Sequence, residues 1–200
     1  MKPSVVVFDI GGVLVEWDPV AAFAEILGSR SVAQAFMARI GFADLNLRAD
    51  AGARFGDLAA GLADPNDRAA LAAYAENFAH SVTEAIEGTW ALVDRLRDRG
   101  VPLHAITNWS AETWPKGLAA HPRLGTAFGV TVVSGKEGVA KPDPRIFALL
   151  CDRAGVAPDA CLFIDDGPRN VAAARAFGMD AVQFTDPGKL AMDLTERGLL

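Results

Sequence analysis

Four bulky apolar residues in a row, Val5-Val6-Val7-Phe8, run straight into a carboxylate and then two glycines, Asp9-Ile10-Gly11-Gly12. An unbroken apolar run of this length reads as a strand covered on both faces, as in the middle of a parallel sheet. A charged residue is almost never buried without a partner, so something must hold Asp9 where the strand ends. In open parallel sheets ligands bind beyond the carboxyl ends of the strands. Glycines there, Gly12 in particular, let backbone approach a ligand closely. The same residues also suit a strand followed by an ordinary turn with an Asp cap, so three later stretches decide the reading.

Two hundred residues, 51% hydrophobic and 22% charged, suit one compact domain or a domain with a subdomain. The formal charge of −6 argues against nucleic acid or an anionic membrane surface as partner. It leaves room for a phosphorylated small molecule, which needs only local cations. Cys151 and Cys161 lie in apolar sequence without metal-ligand spacing, which reads as buried free thiols in a reducing cytoplasm. Met1-Lys2-Pro3-Ser4 leads directly into the strand without room for a signal peptide. No apolar run approaches membrane-spanning length.

Between the first strand and the later ones the texture is helical. Pro19 opens a helix after Asp18, with Val20, Phe23 and Leu27 on one face and Gly28 ending it. Val32, Phe36 and Ile40 repeat the spacing, Phe55, Leu58 and Leu62 suggest a third helix, and Asp64-Pro65 caps a longer one. Asp50 and Gly52 suit a turn between these helices or a loop facing substrate. From Thr89 onward strands and helices alternate, with strands expected at 102–106, 130–134, 161–164 and 181–184. This alternation predicts a doubly wound parallel α/β sheet of Rossmann-like type. The expected division is an α/β core of residues 1–16 and 88–200, with a small all-helical cap, 17–87, inserted after the first strand.

Polar groups recur where the buried strands end: Asp9, Thr107-Asn108, Lys141 before a helix, and Asp165-Asp166. A parallel sheet brings those ends to one edge. Carboxylates gathered there repel and raise one another's pKa. A divalent cation relieves this, and carboxylate and carbonyl oxygens suit Mg2+. Lys141 and the Thr107 hydroxyl would then meet a ligand's negative oxygens.

Phe8-Asp9-Ile10-Gly11-Gly12-Val13-Leu14, Thr107-Asn108, Lys141-Pro142-Asp143 and Phe163-Ile164-Asp165-Asp166, with Asn170 beyond, resemble in order the four motifs of the haloacid dehalogenase-like (HAD) hydrolases. Trp17-Asp18-Pro19 and Asn108-Trp109-Ser110 look like its branch with a small helical cap. The resemblance implies that Asp9 is the nucleophile and forms a covalent intermediate. It implies that Thr107 and Lys141 hold the transferring group with Asn108 beside them. It further implies that Asp9, the Gly11 carbonyl and Asp166 ligate Mg2+, with Asp165 assisting directly or through water. The expected activity is hydrolysis of a small phosphate monoester through an aspartyl-phosphate, with Trp109 as an aromatic wall over the substrate.

One position departs from that pattern. Phosphatases of the family usually carry a second Asp two residues after the nucleophile, and here it is Gly11. Losing a general acid–base group typically costs about 10²–10⁴ in rate. Either the leaving group needs little protonation, or another residue such as Glu16 or Asp18 supplies the proton, or the reaction is different. The 2-haloacid dehalogenases of the superfamily also lack that Asp, use no metal, and need an arginine for the substrate carboxylate. Arg39, Arg48 or Arg54, with Trp109 and Phe42 forming a halide pocket, would serve. Asp165-Asp166 favours the metal-dependent phosphatase, because two acids facing Asp9 demand a counter-charge. A non-catalytic binder of a phosphorylated ligand is the third reading. His80, His104 and His121 do not cluster with acids; His104 reads as structural and His121 as an exposed loop residue. Trp17 and Trp114 read as packing between core and insert, and Arg95, Arg97 and Arg99 as a solvated helix end.

Overall fold

The computed structural model describes residues 2–200. Strand β1 (Val5–Phe8) lies at the centre of a five-stranded parallel sheet of order β3-β2-β1-β4-β5. The others are β2 (Leu103–Thr107), β3 (Thr131–Val133), β4 (Cys161–Asp165) and β5 (Asp180–Gln183). The chain builds outward from β1 through β2 to β3, then returns to the other side of β1 for β4 and β5. Its switch point therefore lies at the carboxyl end of β1, where a doubly wound sheet opens a crevice. The pairings Phe8 with Ala105 and Phe8 with Ile164 bring the ends of β1, β2 and β4 to one level.

The continuous apolar run of β1 follows from cover on both faces. Val6 and Phe8 join one buried cluster, and Val5 and Val7 join a second with Ile146, Phe147, Leu150 and Val171. The second is supplied by α9 (Pro144–Ala154) and α10 (Pro168–Phe177). The first receives α6 (Glu87–Asp98) and the C-terminal α11 (Pro187–Glu196). Two short helices, α7 (Trp114–Ala120) and α8 (Ser134–Glu137), flank β3. No helix among the described residues is long and apolar enough to cross a membrane.

Between β1 and α6 the chain forms α1 (Pro19–Leu27), α2 (Arg30–Ile40), α3 (Phe42–Asp50), α4 (Phe55–Ala60), α5 (Pro65–Asn77) and a 3-10 turn, Phe78–Ser81. Asp18 and Asp64 cap α1 and α5 through their side chains, each followed by Pro at the first helical position. Tyr74 is the hub of this helical layer. Its ring stacks on Phe23 at 4.7 Å and meets Phe42, Phe55 and Phe78 edge-on at 5.0–5.8 Å. Its hydroxyl accepts a hydrogen bond from Trp17 Nε1 at 3.3 Å, which pins the start of the insert to its own core.

Four helices escape the sequence reading, the short α7 and α8 together with α3 and α11. Helix α3 is short and begins at Gly41 without a side-chain cap. Helix α11 carries an Asp186-Pro187 start signal identical in kind to the others. Asp50, expected in a turn or loop, is the last residue of α3 and is buried.

Tyr74→Ala removes the hub of five rings and is expected to cost about 3–5 kcal/mol. Met192→Ala, at a position 61% exposed, is expected to change stability by no more than about 0.5 kcal/mol. Urea unfolding of the two variants against the parent chain checks both.

Candidate active site

Asp9 begins the turn after β1, held by its N–H to the Ile164 carbonyl at 2.8 Å. Its Oδ1 accepts the Ile10 N–H at 2.7 Å, which aims the other oxygen at Lys141. Ile10, Val13, Leu14 and Val15 are fully buried and anchor the loop. Gly12 has φ +74°, and a Cβ there would lie 2.6 Å from Asp166 Oδ2. Only glycine allows this approach without displacing the acid. At Gly11, by contrast, a Cβ would meet nothing within 4 Å.

Lys141 sits in the turn before α9 with its side chain wholly buried. Its ammonium pairs with Asp9 Oδ2 at 2.8 Å and donates to Asp165 Oδ2 at 2.6 Å and to the Ile106 carbonyl at 3.1 Å. Asn108 fixes the turn that carries it: Lys141 N–H donates to Asn108 Oδ1 at 2.8 Å, and Asn108 Nδ2 donates to the Lys141 carbonyl at 2.9 Å. The Asn108 amide is thus committed to the Lys141 backbone, so this residue, expected to act beside the transferring group, positions the lysine.

Asp165 and Asp166 have divided tasks. Both Asp165 oxygens accept from Asn170 Nδ2, Oδ1 also from Gly167 N–H and Oδ2 from Lys141. Among the described residues no side chain donates to the Asp166 carboxylate, which is exposed to the cleft. Oxygens of Asp9, Asp165 and Asp166 lie within 4.8 Å of one another. Burial pushes the Asp9 carboxyl well up, Lys141 pulls it back, and Asp165 pushes it up again. Burial and then Asp165 raise Asp166. Burial works against the Lys141 charge, but Asp9 and Asp165 outweigh it and hold the ammonium protonated. Three acids against one lysine leave a net negative cluster. Hard oxygen donors at this spacing, one acid without a protein partner, fit a divalent cation of the Mg2+ type.

Thr107 Oγ1 is buried at the end of β2, and no partner for it lies among the described residues. A hydroxyl in that state is suited to a ligand oxygen. Asp9, Gly11, Gly12, Asn108, Trp109 and Asp166 open on one cleft of about 560 Å³, roofed by Asn46, Leu47 and Asp50 of α3. Glu16, Trp17, Phe78 and Thr113 complete the cleft. No lysine, arginine or histidine lines it among the described residues, and Lys141 reaches it only through Asp9.

The arginines considered for a substrate carboxylate lie elsewhere. Arg39 pairs with Asp67 and Arg54 with Glu112, both on the outside, and Arg48 is exposed away from the cleft. Phe42 belongs to the Tyr74 cluster, not to a pocket wall. His121, expected in an exposed loop, is half-buried and bonded to the Val82 carbonyl. His104 accepts the Val130 N–H, as a structural residue would. Asp50, read from the sequence as a turn residue or part of a loop facing substrate, ends α3 instead and lines the cleft.

The family model for haloacid dehalogenase-like hydrolases matches residues 3–178. The chain belongs to that family. It is 30% identical over 193 residues to phosphoglycolate phosphatase 1 of Pseudomonas aeruginosa, covering 92% of this chain and 70% of that one. Two other curated relatives are spanned over only 46% and 37% of their own length. A HAD family enzyme of Bacteroides thetaiotaomicron, solved with magnesium and inorganic phosphate, superposes with a TM-score of 0.68 at 20% identity, covering 92% of this chain and 95% of that one. L-2-haloacid dehalogenase of Xanthobacter autotrophicus superposes with a TM-score of 0.64 at 20% identity, covering 97% and 83%. Both likenesses establish the shared fold, which hosts more than one chemistry.

Two expectations follow from the electrostatics. Lys141→Met leaves Asp9 and Asp165 buried without a cation and is expected to cost about 3–5 kcal/mol. Combining it with Asp165→Asn is expected to recover part of that loss, measured as a coupling energy in denaturant unfolding. Burial, opposed by the Ser110 N–H and Lys141, raises the Asp50 carboxyl to about 7. A folded acid raised above its ordinary value of about 3.9 contributes stability below that value and loses it as pH rises toward 7. Asp50→Asn is therefore expected to match the parent's Tm near pH 4 and exceed it by several degrees near pH 8, read by calorimetry.

Proposed function

We propose that this chain is a Mg2+-dependent phosphomonoesterase acting on a small phosphorylated metabolite through an aspartyl-phosphate on Asp9. The observation that carries the reading is the meeting of Asp9, Asp165 and Asp166 oxygens within 4.8 Å around a single lysine. A metal-free dehalogenase would have to keep that excess of buried negative charge uncompensated. It would also need a cation for the substrate carboxylate, and the cleft lining offers none. The relative named phosphoglycolate phosphatase supports the phosphatase activity. The magnesium and phosphate bound by the Bacteroides thetaiotaomicron enzyme support the cofactor.

In this reading the Asp9 oxygen that faces Lys141 attacks phosphorus in line with the leaving oxygen. Lys141 and the unpartnered Thr107 hydroxyl hold the equatorial oxygens and neutralise their charge. Asp9, the Gly11 carbonyl and Asp166 would hold Mg2+, which supplies Lewis-acid charge stabilisation when bound. Asp165 keeps Lys141 in place rather than touching substrate. Gly12 brings the loop backbone against Asp166. Trp109 and Phe78 offer the leaving part an aromatic surface. With Glu16 and Asp50 in the outer cleft and no cation there, esters with an uncharged or cationic leaving part are favoured over those with a second anionic group. The buried, unpaired thiols of Cys151 and Cys161 support a reducing, cytoplasmic setting.

The purified chain is expected to hydrolyse p-nitrophenyl phosphate with Mg2+, to stop with EDTA, and to lose on the order of 10³-fold or more on Asp9→Asn. Metal-independent chloride release from 2-chloropropionate would establish the dehalogenase instead. Phosphate-ester binding with no turnover above the Asp9→Asn control would establish a binding protein.

A further inference from the structure

The cleft has a nucleophile and a place for a cation, but at Gly11 it lacks the carboxyl that would protonate a leaving oxygen. The two acids nearest in sequence do not fill the gap. Asp18 caps α1 through the Val20 N–H and pairs with Arg30 at 2.7 Å, and it does not line the cleft. Glu16 lines the cleft but is exposed to solvent rather than enclosed.

Asp50 is differently situated. It closes α3, is 7% exposed, and lines the same cleft as Asp9 and Gly11. Its one side-chain hydrogen bond comes from Asn46 Nδ2 at 2.9 Å, one turn earlier on the same helix. Among the described residues it forms no ion pair and makes no bond to Asp9, Gly11, Asp165 or Asp166. A buried carboxyl with no ion-pair partner, on the cleft that also holds the nucleophile, is suited to carrying a proton there.

We propose that Asp50 is the acid–base group of this enzyme, replacing from the cap the carboxyl that Gly11 lacks. The inference rests on the phosphatase reading above. As the Asp9 oxygen bonds to phosphorus, the bond from phosphorus to the leaving oxygen breaks. The Asp50 proton passes to that oxygen, releasing an alcohol and leaving Asp50 ionised. Asp50 then takes a proton from a water molecule as the water oxygen bonds to phosphorus. The bond to Asp9 breaks, inorganic phosphate forms, and Asp50 is protonated again.

The electrostatics agree. Burial is the main influence on Asp50; the Lys141 charge and the Ser110 N–H oppose it, and the Tyr74 phenol packs nearby. A carboxyl poised near 7 can both give and take a proton at neutral pH.

The test compares kcat/KM, which reports formation of the aspartyl-phosphate, for p-nitrophenyl phosphate and glycerol 2-phosphate with Mg2+ present. A nitrophenolate leaves unaided and an alkoxide needs a proton. Asp50→Asn is expected to lower kcat/KM for glycerol 2-phosphate by about 10²–10⁴ and to leave that for p-nitrophenyl phosphate within about threefold. In the parent chain, glycerol 2-phosphate kcat/KM is expected to fall above about pH 7 relative to the aryl ester, because the acid must be protonated. Gly11→Asp in the Asp50→Asn background, where a Cβ meets nothing within 4 Å, is expected to restore the alkyl ester. Equal losses for both esters, no loss for either, or a parent chain that hydrolyses only the aryl ester would overturn the assignment. A parent chain that hydrolyses neither defeats the phosphatase reading itself.

Discussion

The buried ammonium of Lys141 lies between Asp9 and Asp165 and is the contact on which the site depends. It ties the loop after β1, the end of β4 and the turn before α9 to one point, and it reaches the Ile106 carbonyl in β2. Burying a charge is costly unless it is paired and every donor is satisfied. Here the ammonium is paired with two carboxylates and bonded to a backbone carbonyl, so the arrangement is sharply specified. A displaced lysine would leave two acids facing apolar surroundings. Asn108 and Asn170 serve this contact from either side, one gripping the lysine backbone and one both oxygens of its partner acid. The catalytic roles proposed for Asp9 and Thr107 presuppose that geometry.

The remaining imbalance gives the site its chemistry. One cation cannot neutralise three carboxylates, and among the described residues no side chain donates to Asp166. Such a cluster binds a divalent ion or stays strained. The helical layer acts at the other end of the cleft. Its aromatic cluster around Tyr74 fixes α3 rigidly enough to hold a single buried carboxyl, Asp50, over the core. Core and cap thus divide the task. In the proposed reaction the core would hold the phosphoryl group and the cap would meet whatever is attached to it.

Much of this was legible before any coordinates. The β1 run, the Asp-Pro helix starts and the four strand-end polar groups each depend on local rules: period, capping and the burial of continuous apolar segments. Helix α3 was not legible, because it lacks a side-chain cap and its apolar spacing is sparse. The exclusion of Arg39 and Arg54 from the cleft was equally hidden. Whether an arginine faces a pocket or pairs with Asp67 or Glu112 on the outside is a matter of helix orientation. The division of labour between Asp165 and Asp166, adjacent and chemically identical, is likewise settled by which of them Lys141 and Asn170 reach.

By itself, then, the sequence determined the parallel sheet, the helical insertion and the gathering of Asp9, Thr107, Lys141 and Asp165-Asp166 at one edge, because strand polarity and order carry that information along the chain. Only the tertiary structure decided which of those groups are tied to one another and which stay free, and that Asp50 faces the cleft. Those outcomes depend on the angle and depth at which separate helices pack, a property of many side chains at once that no single stretch encodes.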